Sequence, residues 1–239
     1  MDRLTRHELK SDKFVEEVGQ TVHFFEEHKP QMLRYGGIAL AVLVLAGAGY
    51  FFMKTRAAER QAALYDALET YNAPVMPQNP PEGVKAFRTE QERQAAIQKD
   101  LGNIVSKYSG SDEAAIATYL LGVNAADNGR LDEAEKDLKK AIDEAGKDYA
   151  SLARQSLAEI YASQGKTSEA EALLREIIAH PTVLVSKEIA SLELAKILAK
   201  SKPDEAKKLI EPLRTSTGPV SRAAIQAYAE IGQRSEDTR

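Results

Sequence analysis

The sequence predicts an all-α protein in which a stack of helix-turn-helix units follows one membrane-length apolar helix. Three observations carry this. Residues of matched character recur every 36 positions: Asp132-Glu133-Ala134, Ser168-Glu169-Ala170 and Asp204-Glu205-Ala206, then Leu138, Leu174 and Ile210, then Ala141, Ile177 and Leu213. The run from Tyr35 to Met53 contains no charged side chain. Ala, Glu, Lys and Leu dominate, while strand-type Val/Ile/Thr alternation is scarce.

Composition limits the function. The 239 residues, 43% hydrophobic and 28% charged, suffice for one globular domain with extra segments or for a short solenoid. The absence of cysteine removes disulfides, thiolate metal sites and cysteine nucleophiles. A net charge of −4 leaves no basic footprint for nucleic acid.

Residues 1–34 form a tail in which Phe14, Val18, Val22 and Phe25 fall at helical spacing, with Glu16, Glu17, Glu26 and Glu27 elsewhere on the surface. This predicts a short amphipathic helix, suited to docking on a protein or to lying at a membrane interface. Pro30 is expected to separate it from the next helix, because a helix-interior proline removes one hydrogen bond.

Residues 35–53 reach roughly 28 Å as a helix at ~1.5 Å per residue, close to the ~30 Å hydrocarbon core of a bilayer. Their eight large apolar side chains favour insertion by roughly 2 to 5 kcal/mol together. Tyr35 and Tyr50 suit the two interfaces, and Arg34 and Lys54 bracket the run. A buried core helix rarely runs so long between charged brackets. A cleaved signal peptide fits Ala46-Gly47-Ala48, but 34 residues precede the apolar core. A single membrane anchor is the expectation. Lys29 and Arg34 on one side face Lys54, Arg56 and Arg60 on the other, so the near flanks slightly oppose a cytoplasmic N-terminus. A short tail before a large C-terminal domain is the usual signal-anchor plan. The expected orientation is therefore N-terminus in the cytoplasm and repeats periplasmic or extracytoplasmic.

Residues 54–111 follow the span. Ala57 to Tyr71 reads as a helix continuing from the membrane, and Pro74, Pro77, Pro80 and Pro81 make Ala73 to Phe87 an extended connection. A helix from about Arg88 to Tyr108 is ended by Ser109-Gly110. These two helices could form a degenerate first repeat split by the proline loop.

Residues 112–219 hold three repeats. Their first halves centre on Leu121-Gly122, Leu157-Ala158 and Leu194-Ala195, where a tiny residue lets another helix approach. Turn-type segments follow at Asn128-Gly129, Gln164-Gly165 and Ser201-Lys202-Pro203. The second halves open with Asp132, Ser168 or Asp204, which can cap or favour a helix N-terminus. In the third copy the first half is shifted by one residue, which implies a shorter inner turn. In residues 220–239, Val220 to Ile231 reads as a capping helix, with the polar end QRSEDTR disordered.

Leu121-Gly122, Ala134, Leu138 and Ala141 resemble the tetratricopeptide repeat, as do Leu157-Ala158, Tyr161, Ala170, Leu174 and Ile177, and then Leu194-Ala195, Ala206, Ile210 and Leu213. The resemblance covers about Asp112 to Gly218. Thr118, Arg154 and Ser191 stand near the place of the family's usual early Trp, and the period exceeds the usual ~34 residues. The resemblance implies a solenoid of about three to four repeats plus a capping helix, which binds protein partners. A short tail, one span and such a domain together resemble the bacterial single-span family that includes the ancillary subunit of the Sec translocon. That implies the inner (cytoplasmic) membrane, Sec translocon or other envelope proteins as partners, and an accessory or chaperone-like role. A scaffold for envelope assembly or division is the alternative, as is a homo-oligomer, with Gly37 and Ala41 permitting helix association in the span.

In this architecture the first helix of each pair lines a concave groove. The positions mapped there are Tyr119 and Val123, Gln155 and Glu159, and Leu192 and Lys196, each pair four residues apart on one helical face. Their mixed character suits an extended or helical segment with apolar anchors. It does not suit a clamp on a terminal carboxylate, which needs several Lys, Arg and Asn residues. No catalytic pattern competes. Gly165-Lys166-Thr167 lacks the earlier glycine of a phosphate loop, since position 160 is Ile. His7, His23, His28 and His180 form no metal-spaced pair, and no Gly-x-Ser-x-Gly elbow is present. Neither an enzyme, a metal nor a cofactor is expected.

Overall fold

The structure is a computed structural model that describes the backbone of residues 6–78, 82–215 and 218–237, and the side chains of these within 33–233. Its described elements are α1 (Arg6–Asn72), α2 (Glu90–Lys107), α3 (Asp112–Asp127), α4 (Leu131–Glu144), α5 (Lys147–Ser163), α6 (Thr167–Ala179), α7 (Lys187–Leu198), α8 (Pro203–Ile210), a 3-10 turn (Glu211–Thr215) and α9 (Pro219–Asp237). The chain divides into two units, Met1–Ala58 and Glu59–Arg239, with the boundary inside α1.

In the first unit the helix does not break at Pro30, contrary to expectation: α1 runs through it. Proline withdraws a single N–H from the ladder, and good helix formers on both sides (Glu26 and Glu27, Gln31 to Leu33) carry the helix across. The side chains of Phe14, Val18, Val22 and Phe25 lie outside the described residues, so the amphipathic face expected there is not described. Leu33–Asn72 includes a stretch long and apolar enough to cross a membrane, and none of that stretch is buried. Leu40, Leu43, Leu45 and Phe51 are all exposed, so no other described element of this chain covers them.

In the second unit, helices pair in sequence order. The end of α1 packs on α2, with Ala67 against Ile97, Leu101 and Ile104, and Ala117 of α3 completes this cluster. Thr70 Oγ1 donates to Asp100 Oδ2 at 2.8 Å, and Arg60 Nε to Glu113 Oε2 of α3 at 2.9 Å. The described residues of the Pro-rich connection, 73–78 and 82–87, are not helical, and a turn lies at Glu82-Gly83. The connection's stems are pinned where Met76 N–H donates to Phe87 O at 2.7 Å and Phe87 N–H to Pro74 O at 3.1 Å. The pairs α3–α4, α5–α6 and α7–α8 share a second core, in which Leu138, Leu157, Leu174, Leu194 and Ile210 are buried, and Ala224 and Ile231 of α9 close its end. Helix α9 continues to Asp237, so the stretch expected to be disordered is helical up to there; Thr238 and Arg239 lie outside the described residues.

Two local expectations are corrected. Asp132, Ser168 and Asp204 do not cap α4, α6 and α8; the cap positions belong to Arg130, Lys166 and Lys202, none with a side-chain cap bond. For α4 and α6 the turns explain this. Gly129 and Gly165 take φ of 73° and 75°, and the next N–H closes back on the first helix, Arg130 to Ala125 O and Lys166 to Tyr161 O, each at 2.8 Å. The acids then sit inside the first turn, where they complement the helix dipole. In the third repeat the missing residue comes out of the helix rather than the turn. Helix α5 runs to Ser163, whereas α7 stops at Leu198, nearer to its own leucine, Leu194.

Candidate protein-binding face

Packing each first helix on the next produces one layer built of α3, α5 and α7. The layer is visible in side-chain contacts between successive repeats. The Tyr119 ring of α3 meets the Tyr149 ring of α5 edge-on, with centroids 5.9 Å apart. Gln155 Nε2 of α5 donates to Glu193 Oε1 of α7 at 2.5 Å. The second helices form the opposite layer and carry its ion pairs. Lys166 Nζ lies 3.7 Å from Glu135, Lys202 Nζ lies 3.0 Å from Glu171, and Arg175 bonds both Glu171 and Glu205.

The six mapped residues separate on this layer. Tyr119 is half-buried; burial raises its phenol pKa, a hydrogen bond with Ser156 opposes the rise, and the charge of Glu159 adds to it. Val123 is half-buried and packs on the core. Gln155 is half-buried and bridges to α7, as described. Glu159 is exposed as a residue, yet loss of hydration around its carboxyl raises its pKa. Lys196 is exposed. Leu192 is different. It is 8% exposed and belongs to the core, and the contact to Gln155 expected of that level is made by its neighbour Glu193. The register that places Leu192 level with Gln155 already allows for the one-residue offset of Leu194-Ala195, so the contact to Glu193 lies one residue beyond it.

Three residues of the layer were missed by the spacing argument: Tyr149, Ser156 and Glu193. Glu193 was not legible from the register, which puts Leu192 level with Gln155 even with the offset included. Tyr149 was not legible either, because its partner lies in the neighbouring repeat. Burial pushes the Glu193 carboxyl up to about 7, the charge of Glu159 pushes the same way, and the Gln155 hydrogen bond and Lys196 charge oppose. The face therefore offers an aromatic pair, amide and hydroxyl groups, and two carboxylates that repel each other. These are contact groups without a nucleophile–base pair. Among the described residues no cluster of three or more His, Cys, Asp or Glu could hold a metal ion.

Comparison with known proteins agrees with the helical-repeat fold. Two crystal structures of a Podosopora anserina protein of kinesin light chain type, built of nearly identical TPR-like repeats, are similar in fold. A form of that protein carrying a single substitution aligns with a TM-score of 0.51 at 19% identity over 62% of this chain and 82% of that one. The other form aligns with a TM-score of 0.50 at 19% identity over 62% and 83%. Comparison with curated proteins gives no match. The sequence pattern described as "Tetratricopeptide repeat-like domain" matches residues 23–181, well over half of the chain. This chain belongs to the tetratricopeptide repeat-like domain family.

Proposed function

We propose that this protein is a membrane-anchored interaction scaffold in which the α3–α5–α7 face receives segments of partner proteins. The observation that carries the reading is the pairing of an unburied, membrane-length apolar stretch with a helical-repeat unit. Anchoring raises the effective concentration of the face near other membrane proteins, so individually weak contacts suffice. Tyr119, Val123, Gln155, Glu159 and Lys196 are the contact residues, joined by Tyr149 and Glu193. The setting that fits this plan is the bacterial inner membrane, with the N-terminus cytoplasmic, the repeats on the outer side, and an accessory or chaperone-like role beside the secretion machinery.

Photo-crosslinking from Tyr119 or Gln155 in intact membranes tests the partner class. Adducts with translocon subunits or emerging chains support the secretion role; adducts with other envelope proteins replace it with a scaffold for envelope assembly. Self-pairs alone overturn both. A compartment-sensitive reporter fused after Arg239 tests the orientation, and activity confined to the cytoplasm overturns it.

A further inference from the structure

A second concavity lies on a different side of α5, apart from the proposed binding face. A cleft of ≈ 620 Å³ opens between the first turns of α5, the ends of α4 and α6, and the connection at His180–Thr182. Ile142 and Ile177 give it an apolar wall, and Lys147, Ser151, Arg154 and Glu176 give it a polar one. Ser151 is 2% exposed and its Oγ has no hydrogen-bond partner; Arg154 Nε, three residues on, has none either. Buried polar atoms are almost always bonded. Two orphans on one helical face at one cleft mark a place for a hydrogen-bonding group that the fold does not supply.

The repeat register sharpens this. One period earlier, the equivalents of Ser151 and Arg154 are Ala115 and Thr118, and the Thr118 hydroxyl is satisfied by Ala114 O at 2.9 Å. In the third repeat the position of Arg154 is taken by Ser191. The second repeat is thus the one that places a cation here. The charges also constrain the ligand. Among the residues that line the cleft, Lys147 and Arg154 are basic and Glu176 is acidic, with Glu176 Oε1 3.0 Å from Arg154 Nη2. The lining itself thus carries one more cation than carboxylate, while Asp148, outside it and three residues before Ser151, has one buried oxygen without a partner.

We propose that this cleft binds a small monoanionic carboxylate with an apolar body. The ligand's oxygens accept from Ser151 Oγ–H and the Arg154 guanidinium, Lys147 stands at the mouth, and Ile142 and Ile177 cover the hydrocarbon. The side chains of Arg154 and Glu176 are 22% and 50% exposed, so theirs is a surface pair of small net worth. Arg154 exchanges the Glu176 carboxylate for the ligand's, and its movement uncovers Ser151.

The test uses the full chain in phospholipid nanodiscs, with carbon-13 methyl-labelled isoleucine, titrated with hexanoate, hexanol and inorganic phosphate. Hexanoate is expected to shift the Ile142 and Ile177 methyl signals saturably, with hexanol and phosphate at least about tenfold weaker. Arg154→Gln is expected to weaken hexanoate by about tenfold, the scale of a lost charge-assisted hydrogen bond, and Ser151→Ala by several-fold. No saturable shift with hexanoate overturns the proposal and leaves water as the orphans' partner. Hexanol binding as tightly makes the cleft an apolar hole, and phosphate binding as tightly makes it a general oxyanion site; either result overturns the proposal. So does unchanged hexanoate affinity in both variants. Thermal midpoints check folding, and where Arg154→Gln lowers the midpoint, Ser151→Ala decides.

Discussion

Gly122 and Gly165 are glycines for different reasons, and the difference is measurable. Gly122 faces α4, and a Cβ there would come within 2.9 Å of Leu138 Cγ and 3.2 Å of the Leu138 backbone nitrogen. A rotamer change cannot relieve a backbone contact. Gly122→Ala is therefore expected to cost about 1–3 kcal/mol by overpacking. Gly165 has nothing within 4 Å of its would-be Cβ but sits at φ +75°, so Gly165→Ala is expected to cost about 1–2 kcal/mol through backbone strain alone. Urea melts of both variants check this, and two neutral results would refute the assignment. The leucine-plus-tiny-residue signal was legible in the sequence. That α3–α4 demands glycine where α5 and α7 accept Ala158 and Ala195 was not, because helix separation depends on tertiary packing. Glu193 supplies a pH prediction. Its carboxyl is raised from an ordinary value of 4.5 to about 7, so the folded chain keeps a proton that the unfolded chain releases in that window. The stabilising protonated form is fully present below about pH 4.5, and its contribution is lost as pH rises through about 7. Glu193→Gln is expected to abolish this loss, gaining on the order of 1–3 kcal/mol at pH 8 and little at pH 4. Thermal melts at the two pH values read the difference; equal gains would exclude titration as the cause.

At the scale of elements, the second helices show how a correct pattern can conceal a wrong role. Asp132, Ser168 and Asp204 stand second in their helices. Helix α8 opens on Pro203 with Lys202 at its cap, whereas before α4 and α6 the cap is decided by a left-handed glycine turn. That closure is a backbone event that side-chain periodicity does not encode. The cap position of α6 is left to Lys166, whose contact with Glu135 is solvent-exposed and 3.7 Å long. Such a pair contributes about 0–1 kcal/mol, whereas a serine cap contributes typically ~1 kcal/mol. Lys166→Ser is therefore expected to raise stability by about 0.5 kcal/mol in chemical denaturation, and a clear fall would show that the lysine's contacts with Glu135 and with the Tyr161 ring, 5.1 Å away, outweigh the missing cap. The unbroken course of α1 through Pro30 was likewise hidden, since proline's local penalty was legible and the helix-forming strength of its surroundings was underweighted.

For the whole molecule, what was legible is what repeats or what is extreme: the helix pairs of the second unit and the apolar stretch. The repeat register was legible at Tyr119, Val123, Gln155, Glu159 and Lys196, which are half-buried or exposed on the α3–α5–α7 layer, whereas Leu192, at the same register, is buried in the core. Since successive pairs share one core, damage is expected to spread to neighbours first. Leu174→Ala, at a fully buried position of α6, is expected to cost about 2–5 kcal/mol. Amide exchange should quicken in α5 to α7 and stay unchanged in α2; uniform quickening would mean that the stack melts as one body. The basic residues that open the second helices have a further consequence. Lys166 reaches back to Glu135 and Lys202 to Glu171, and both partners and both lysines are separated by one period of 36 residues. A segment copied from 131 to 166 and spliced in after itself would carry both Glu135 and Lys166, so each copy would hold its ion pair whole. The pair travels with the repeat, so lengthening the stack by duplication within its gene would not leave either charge without its partner.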